Sequence, residues 1–585
     1  MCLNPSERLL MNIREKLETL VNEALQQAID QDRLNLEYIP EAGLERPRDK
    51  ENGDWASTVS MRCAKQAKKN PREIAQIIVD FLPTNNILES VEIAGPGFIN
   101  FKLTPAAHQE ILKEVYLRQD DFGKGKCLPE KSFVNLEYVS ANPTGPMHVG
   151  HGRWAALGDA MARVMRHAGY RVYEEFYIND AGVQMDLFGR SVSIRYQQMC
   201  GQDVPMIENG YGGSYVQDIA QGIIDQDGSK WLDLSEEKRV ESFREMAYQE
   251  MLGLMRNTLA NFGTTFDCWF SERSLYVKAS DGTTPVDRAM AAMDKKGFVY
   301  QKEGATWFRS TAFDDEKDRV LIKENGDTTY FMSDVAYHYD KLSRGFDHLI
   351  NIWGADHHGY VKRCEAALAA WGRPDALEIV LGQLVNLFRD GEVVRMSKRT
   401  GEMITFAELI DEVGVDSTRF LMLSRSSDQP IDFDIEAAKK KDSSNPVYYV
   451  QYAHARICSI LRKTAQSKDV EASLAGAISM DELARNLFID IPRLELLCEA
   501  PELALMRKME EFEELIADAA RDRAPFRLTH YAQDLAALFH QFYTHCQVIN
   551  DNAELQSARL YLVNATRITL ALTLRLLGIS TPIKM

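Results

Sequence analysis

The sequence lacks the cysteine patterns that hold small or extracellular proteins together. Of its 585 residues nine are cysteine, and no two of them stand at the C-x-x-C spacing of zinc or redox sites. An odd number of cysteines cannot all form bridges within one chain. We therefore expect a reduced, cytoplasmic protein without a structural zinc. The cysteines are residues 2, 63, 127, 200, 268, 364, 458, 498 and 546.

Long apolar segments are also missing. The longest mainly apolar run, residues 376–388, is shorter than the roughly 18 residues that a membrane helix needs. The N-terminal stretch mixes acidic and basic residues, whereas a secretion signal joins a basic segment to an apolar one. These absences predict a chain without a membrane span or a secretion signal.

The chain has no overall excess of positive charge. It has 68 lysines and arginines against 86 aspartates and glutamates, a net charge of -18, which excludes a protein that coats nucleic acid through its overall field. Most of the excess acid lies in residues 126–445, with 37 basic and 49 acidic residues. Residues 521–585 instead hold seven basic and four acidic residues. A second basic cluster without an acid inside it consists of Arg62, Lys65, Lys68, Lys69 and Arg72. Many such basic clusters are simply solvated surface. Two basic clusters at opposite ends of the chain would also suit a long anionic partner that is bound at both places.

Hydrophobic periodicity predicts different structures for the two ends of the chain. Residues 1–125 show helical spacing over 8–30 and 55–82 and a strand at 98–103, which predicts a small α+β domain. Residues 446–585 have helical periodicity throughout and predict an all-α helical-bundle domain.

The middle part, residues 126–445, alternates strands with helices. Strand-like stretches lie at 132–140, 171–178, 348–354 and 377–382, with helical spacing after the first and at about 360–371. This order is typical of a parallel sheet covered by helices. A more polar stretch at about 190–300 predicts a helical insertion.

The loop NPTGPMHVGHG, residues 142–152, is the most informative motif. It is rich in proline and glycine and stands between a predicted strand and a helix start, where backbone amides and the helix dipole favour a phosphate. His148 and His151 are three positions apart, so both imidazoles can donate to one anion. Two histidines at this spacing also suit a metal, but no third ligand follows at a familiar zinc spacing.

A second motif, VVRMSKRTGEMIT at residues 393–405, concentrates positive charge around Lys398. A basic surface turn is one explanation. Together with a phosphate-binding loop upstream, it is also a candidate lid that brings positive charge to a triphosphate, because phosphoryl chemistry needs mainly positioning and charge stabilisation.

These two motifs resemble the signatures of class I aminoacyl-tRNA synthetases: HVGH at 148–151 is similar to HIGH, and RMSK at 395–398 is similar to KMSKS. Longer stretches resemble arginyl-tRNA synthetases in particular. They are EYVSANPTGPMHVGH (137–151), FDCWFSERSLY (266–276), YFMSDVAYHYDK (330–341), WGADHHGYVKR (353–363) and NPVYYVQYAHAR (445–456).

The resemblance implies a multidomain α/β protein with a Rossmann-like catalytic core between an N-terminal α+β domain and a C-terminal helical domain. It implies an enzyme that activates L-arginine with ATP to arginyl-adenylate, transfers it to tRNA(Arg), and releases AMP and pyrophosphate. Mg²⁺ would accompany ATP, bound through the phosphates. The expected partners are tRNA(Arg), L-arginine and ATP, without a membrane, and the enzyme is expected to be a monomer.

The resemblance also assigns residues to the reaction. His148, His151 and Lys398 are the expected catalytic residues. The expected ATP contacts are Gly145, His148, Gly150, His151, Gly354, Asp356, Met396, Ser397 and Lys398. The expected arginine contacts are Glu137, Asn142, Tyr330, Asp334 and His357. The last assignment has independent support, because a planar guanidinium calls for carboxylates that accept paired hydrogen bonds, and Asp334 follows Tyr330 by one helical turn.

For tRNA, the N-terminal domain is expected to contact the elbow and the C-terminal domain the anticodon. The candidate contacts are Arg62, Lys65, Lys69, Tyr448, Tyr452 and Tyr543, since RNA loops are recognised through charge and stacking. Two positions depart from the family pattern: Arg395 replaces the first lysine of KMSKS, and His357 replaces a glutamine.

Three alternatives stay open from the sequence. The chain could be a class I synthetase for another amino acid, a small-molecule adenylyltransferase, or a non-catalytic tRNA-binding relative. An adenylyltransferase has no need of the helical C-terminal domain, and the presence of His148, His151 and Lys398 argues against a non-catalytic protein.

Overall fold

A computed structural model describes residues 11–125, 132–394 and 404–585 of the chain. The expected multidomain architecture is confirmed, with an N-terminal α+β part, a parallel-sheet core and a helical C-terminal part. No helix among these described residues is long and apolar enough to cross a membrane.

The N-terminal part is an antiparallel sheet with helices packed against it, in strand order β1-β2-β4-β3. Its strands are β1 (Leu44–Glu45), β2 (Trp55–Ser57), β3 (Leu88–Ala94) and β4 (Phe98–Leu103). Its helices are α1 (Ile13–Asp30), α2 (Val59–Ala67), α3 (Pro71–Asp80) and α4 (Pro105–Arg118). These elements enclose a core of their own, but most of the buried face of α4 belongs to the larger core of the molecule.

Two of the predicted helices differ from the sequence expectation. The helix expected over 8–30 begins at Ile13, capped by the side chain of Asn12. The helix expected over 55–82 opens with strand β2 and is then interrupted, because Lys68 has a left-handed backbone (φ 50°) and Asn70-Pro71 starts a new helix. Lys69 therefore does not share a helical face with Arg62 and Lys65.

The central sheet has five parallel strands in the order β12-β11-β5-β6-β7. They are β5 (Phe133–Glu137), β6 (Arg171–Ile178), β7 (Cys268–Ser271), β11 (His348–Gly354) and β12 (Leu377–Gly382). Helix α5 (Val149–His167) connects β5 to β6, and α11 (Val361–Ala370) connects β11 to β12. Because these connections leave in opposite directions, a crevice forms at the carboxyl ends of β5 and β11.

The expected insertion at about 190–300 has different bounds and is only partly helical. Its helices are α6 (Val183–Met199), α7 (Ser214–Asp227) and α8 (Glu236–Asn261). They end before β7, whose aromatic residues pair with β6 at the edge of the central sheet. Between β7 and β11 lie α9 (Pro285–Asp294), α10 (Tyr330–Ser343) and an antiparallel sheet of β8 (Val299–Lys302), β9 (Ala305–Phe308) and β10 (Arg319–Ile322).

The central sheet is followed by a small mixed sheet and then by helices. The sheet consists of β13 (Val385–Arg389), β14 (Glu392–Val393) and β15 (Ile431–Asp434). The first helices are α12 (Phe406–Val413), α13 (Val415–Met422) and α14 (Ile435–Lys439). The C-terminal part has α15 (Pro446–Thr464), α16 (Ser467–Leu474), α17 (Met480–Leu487), α18 (Ala500–Glu510), α19 (Phe512–Arg521), α20 (Phe526–His545) and α21 (Ala553–Leu576). Its apolar faces merge with the core around α5.

Candidate active site

The histidine loop, residues 142–152, leads from β5 into α5. His148 caps the helix, and its backbone N–H donates to Nδ1 of His151 over 3.2 Å. The two imidazole rings are stacked with their centroids 3.6 Å apart. Because Nδ1 of His151 accepts a hydrogen bond, the neutral ring carries its proton on Nε2, which makes that atom a donor. A donor at a helix N-terminus suits a phosphate, since the helix dipole favours negative charge there.

Two glycines allow the side chains of His148 and Tyr215 to lie close to the backbone of this loop. A Cβ atom on Gly150 would lie 3.0 Å from the ring of His148, and one on Gly145 would lie 3.0 Å from the hydroxyl oxygen of Tyr215. That hydroxyl comes from α7 and donates to the carbonyl of Thr144 over 2.9 Å. The helical insertion therefore helps to shape the loop.

The end of the second motif is attached to the histidine loop. Thr405 forms an antiparallel bridge with His148, and the backbone N–H of Phe406 donates to the carbonyl of Met147 over 2.8 Å. Arg395, Met396, Ser397 and Lys398 lie outside the described residues. Lys398 is seven positions before Thr405 in the sequence. The bridge therefore attaches the chain that follows Lys398 to the histidine loop.

An acid pocket lies at the crevice, formed by Glu137, Asp334 and Glu272. Glu137 is the last residue of β5, and its carboxylate accepts from Lys341 Nζ over 2.7 Å and from the Ser140 hydroxyl over 3.0 Å. Lys341 also donates to Asn351 Oδ1, 3.0 Å away on the neighbouring strand. Glu137 is thus held from two sides by hydrogen bonds.

The turn after Glu137 has a strained backbone. Val139 has a φ of 70° and Ser140 a φ of 40°, values that are rare for residues with a side chain and especially for a β-branched one. In this conformation the Ser140 hydroxyl oxygen also accepts the backbone N–H of Tyr177 over 3.1 Å. The strained backbone therefore places the Ser140 hydroxyl between Glu137 and β6.

Asp334 lies in the second turn of α10 and is half-buried. Among the described residues, no hydrogen bond to its carboxylate is found. Burial raises the pKa of Asp334, and the nearby carboxylates of Glu137 and Glu272 raise it further, to about 8, against the opposing charge of Arg363. A cationic ligand would relieve this repulsion, so the pocket is built to bind positive charge.

Glu272 completes the pocket and was not selected from the sequence. It is 5% exposed, directly after strand β7. Burial raises the pKa of Glu272, which the hydroxyls of Ser333 and Tyr177 partly offset. An acid inside an aromatic stretch, CWFSERSLY, was the available signal.

Helix α10 is fixed by a second layer of polar contacts. The Tyr337 hydroxyl donates to Glu175 over 2.6 Å, and Arg344 binds both oxygens of the same carboxylate. Burial lowers the pKa of His338 to about 4, so its ring is neutral. Nε2 of His338 accepts from the Asn351 amide over 2.9 Å, and Nδ1 donates to the Asp334 carbonyl over 2.7 Å. These contacts hold Asp334 in position.

A cleft of about 670 Å³ opens beside the first turn of α10. Its walls include Gly182, Tyr276, Tyr330, Ser333, Tyr360 and Arg363. Tyr330 is 67% exposed there. Asn142 reaches the neighbouring segment by donating to Gln184 over 2.7 Å. Of the predicted arginine contacts, Tyr330 therefore lines the cleft, and Asp334 follows it by one helical turn and lies near Glu137.

Three further predicted residues lie at the carboxyl end of β11. Gly354 ends the strand, and Asp356 and His357 lie in a short 3-10 helix at the same carboxyl edge as Glu137. The side chain of His357 is 59% exposed, and its Nε2 is 3.7 Å from the Asp356 carboxylate. No hydrogen bond or ion pair of the described residues joins His357 to the acid pocket, and its arginine contact stays a prediction. A cleft-lining cation in this region is Arg363.

An aromatic cluster lies on the C-terminal helices. The rings of Tyr448 and Tyr452 on α15 are nearly parallel, with their centroids 6.3 Å apart. Arg456 donates to the Tyr452 hydroxyl over 2.9 Å and stands 4.4 Å from the ring centroid of Tyr543 on α20. Tyr452 is 37% exposed. Aromatic and arginine surfaces of this kind can stack with unpaired RNA bases.

The basic candidates lie in the N-terminal part. Arg62 and Lys65 are exposed on α2, and Lys69 follows the end of that helix. Arg62 is 3.4 Å from Glu41, and Lys69 is 2.7 Å from Glu73. Exposed ion pairs are weak, so these cations can exchange their partners for phosphates.

Three family models match successive parts of the chain. They are described as the "Arginyl tRNA synthetase N terminal domain" over residues 15–103, "tRNA synthetases class I (R), catalytic domain" over 113–457, and the "DALR anticodon binding domain" over 450–585. A named arginine–tRNA ligase of Syntrophotalea carbinolica is 46% identical and covers 98% of this chain and 100% of its own length. Another, of Heliobacterium modesticaldum, is 44% identical over 98% and 99% of the two chains. The fold is also that of the Thermus thermophilus arginyl-tRNA synthetase, which is 23% identical with a TM-score of 0.73 and covers 98% of this chain and 100% of its own length.

Proposed function

Because the chain belongs to the arginyl-tRNA synthetases, which activate arginine with ATP and join it to tRNA(Arg), we propose the parts that its residues take in this reaction. Arginine binds in the acid pocket, ATP binds at the histidine loop, and the arginine carboxylate attacks the α-phosphate between them. The tRNA then accepts the arginyl group from the adenylate.

The half-buried carboxylate of Asp334 is the observation that supports the arginine site. It lies between two other acids without a hydrogen bond from the described residues, and a guanidinium offers parallel N–H groups that suit such an acceptor. Glu137 adds negative charge from the sheet. Tyr330 and Asn142 bound the region, and His357 is the fifth proposed contact, at the edge of the sheet.

ATP is proposed to lie along the histidine loop. Gly145 and Gly150 leave room for its phosphates, and His148 and His151 donate to them as negative charge develops at the α-phosphate. The attack breaks the bond between the α-phosphate and the bridging oxygen, and pyrophosphate leaves. Lys398, with Met396 and Ser397, is proposed to hold this leaving group, which the bridge between Thr405 and His148 supports.

Gly354 and Asp356 are proposed to meet the adenosine. Gly354 has no side chain at the carboxyl end of β11, and a carboxylate such as that of Asp356 suits the hydroxyls of a ribose. Mg²⁺ is proposed to enter with ATP. Its charge would be balanced mainly by the phosphates of ATP.

For tRNA we propose two contact regions. The cluster of Tyr448, Tyr452 and Tyr543 would stack with bases of the anticodon loop. Arg62, Lys65 and Lys69 would bind phosphates of another part of the same tRNA.

The proposed domains are residues 1–125, 126–445 and 446–585. The enzyme is proposed to act as a monomer in the cytoplasm, where its single cysteines stay reduced.

The arginine site is tested by Asp334→Asn. This change keeps the shape but removes the charge, so KM for arginine should rise at least about 100-fold, the value expected for a lost charged hydrogen-bond pair. KM for ATP should stay within about twofold. Arginine-dependent exchange of pyrophosphate into ATP, measured with tRNA(Arg) present, gives both values. Asp294→Asn, which changes an exposed acid at the end of α9, is the control. An unchanged KM for arginine in Asp334→Asn would refute the site.

A further inference from the structure

Lys341 is a buried cation inside a pocket proposed to bind a cation. It lies seven residues after Asp334 on α10, and its side chain is fully buried. Nζ is 2.7 Å from Glu137 Oε2, 3.0 Å from Asn351 Oδ1 and 4.4 Å from the centroid of the Tyr337 ring. The proposed reaction steps do not involve this ammonium.

The surroundings of Lys341 form a complete ammonium site. An ammonium is a compact point charge that needs acceptors from several directions, whereas a guanidinium is planar and suits a carboxylate approached edge-on. Glu137 and Asn351 supply the acceptors, and Tyr337 supplies a ring face, which attracts cations. The place in this pocket that would suit the ammonium of a lysine substrate is therefore occupied by a lysine of the protein.

The neighbouring carboxylates differ in what they offer. Glu137 receives Lys341 on Oε2 and the Ser140 hydroxyl on Oε1, so both of its oxygens are engaged. Asp334 has no such hydrogen bonds among the described residues and stays available to a planar donor. Glu137 thus has fewer acceptor positions left for a ligand, while both carboxylate oxygens of Asp334 are open to one.

We propose that Lys341 is a specificity-determining residue: its ammonium fills the point-charge site at Glu137 and thereby excludes substrate lysine while leaving Asp334 to the guanidinium of arginine. This inference rests on the proposed arginine site. Exclusion has two causes. A lysine substrate would find its best acceptors occupied, and its ammonium would meet the like charge of Lys341 at short range.

The test compares arginine with lysine in Lys341→Met, which keeps the length of the side chain and removes the charge. We expect kcat/KM for lysine to rise at least tenfold, because Glu137 Oε2 and Asn351 Oδ1 become available to the substrate ammonium. Pyrophosphate exchange with tRNA(Arg) gives kcat/KM for both amino acids. Lys302→Met, which changes an exposed lysine of β8, is the matched control and should leave the ratio unchanged.

Two further variants separate charge from packing. The double change Lys341→Met with Glu137→Gln should reject lysine again, because the released carboxylate is gone. Lys341→Arg keeps a buried positive charge and should also reject lysine. A Lys341→Arg variant that accepts lysine as readily as Lys341→Met does would overturn the inference, since packing would then be the cause.

The remaining outcomes are equally decisive. If Lys341→Met loses arginine activity without any gain for lysine, the residue only supports the fold and the inference is wrong. If Lys341→Met is not folded at the assay temperature, by its melting curve, Lys341→Gln carries the same prediction and is read the same way. The Asp334→Asn measurement is separate, because a normal KM for arginine in that variant would refute the arginine site itself. If the KM for arginine is raised in Asp334→Asn but Lys341→Met still rejects lysine, only the role of Lys341 is refuted.

Discussion

At the scale of single residues, the ionisation of Asp334 depends on whether a cation is bound beside it. Its pKa of about 8 arises from burial first and then from Glu137 and Glu272, and a bound guanidinium would stabilise the ionised form. Arginine binding and ionisation of Asp334 are therefore linked. The protonated carboxyl predominates below pH 8, so binding must release a proton there.

We expect this linkage in the pH profile of kcat/KM for arginine. The value should rise by about tenfold per pH unit from pH 6 and level off near pH 8, as for a single group that must lose its proton. Asp334→Asn should be much less active and should lack this rise. The profiles come from pyrophosphate exchange at constant ionic strength. A wild-type profile that is already flat between pH 6 and 8 would contradict the linkage.

At the scale of elements, the contact between α5 and α12 determines how the histidine loop meets the segment that follows Lys398. Gly152, in the first turn of α5, lies directly under the ring of Phe406, so a Cβ atom there would overlap that ring. Phe406 begins α12 and is next to Thr405, which bridges to His148. The absence of a side chain at Gly152 thus allows Phe406 to pack against α5 next to the bridge between Thr405 and His148.

Gly152→Ala should break this contact. We expect kcat for pyrophosphate exchange to fall at least about tenfold, because a displacement of catalytic groups by about 1 Å can cost as much as 100-fold. KM for arginine should change less, since the acid pocket lies on β5 and α10.

Gly222→Ala is the matched control. Gly222 lies within α7 with open space around its Cα, and alanine is favoured over glycine in a helix by about 1 kcal/mol. This variant should keep full activity and melt at the same or a higher temperature. Equal activity of Gly152→Ala and Gly222→Ala would show that the contact does not matter for the reaction.

At the scale of the whole molecule, buried polar residues connect the three parts of the chain. His108 on α4 lies 2.8 Å from Glu510 of α18 and 3.6 Å from Asp54, and Arg507 of α18 lies 2.9 Å from Asp54. Farther along, the fully buried Arg419 pairs with Asp159 of α5 and donates to the Leu577 carbonyl at the end of α21. The helical C-terminal part is thus joined to both other parts.

The group around His108 predicts a pH-dependent stability. Burial alone would lower the pKa of His108, and the hydrogen bond that Arg507 Nε donates to His108 Nε2 over 3.3 Å also favours the neutral ring, but Asp54 and Glu510 raise the pKa to about 9. Burial would likewise raise the pKa of Asp54, but His108, the Leu103 N–H and Arg507 hold it at about 2. Because the pKa of His108 is higher in the folded protein than in the unfolded chain, its protonated ring stabilises the folded state. This contribution is complete below pH 6.5 and is lost as the pH rises through 9.

We therefore expect the free energy of unfolding to fall by up to about 3 kcal/mol between pH 6.5 and 9.5, which corresponds to about 2.5 pKa units. The lowered pKa of Asp54 acts only as the pH falls through about 2, outside this window. Calorimetric melting at several pH values measures the effect, and His108→Gln should remove this part of the pH dependence. The same pH dependence in both proteins would contradict the assignment.

The sequence by itself was sufficient for the family and for most of the local structure. The strands expected at 171–178, 348–354 and 377–382 are β6, β11 and β12 with the same bounds, because each is a short run rich in strand-forming residues and bounded by turn residues. The histidine loop was placed correctly between a strand and a helix. The interrupted helix at 55–82 was missed because a left-handed Lys68 has no signature in hydrophobic spacing.

The tertiary structure alone decided how distant residues share one site. Lys341 and Glu137 are 204 positions apart and meet over 2.7 Å, and no local pattern encodes which acid a buried lysine reaches. The same holds for Glu272 in the acid pocket and for Thr405 beside His148. Local sequence determines backbone preferences over a few residues, whereas sheet order and helix packing bring such groups together, and only then do their charges act on one another.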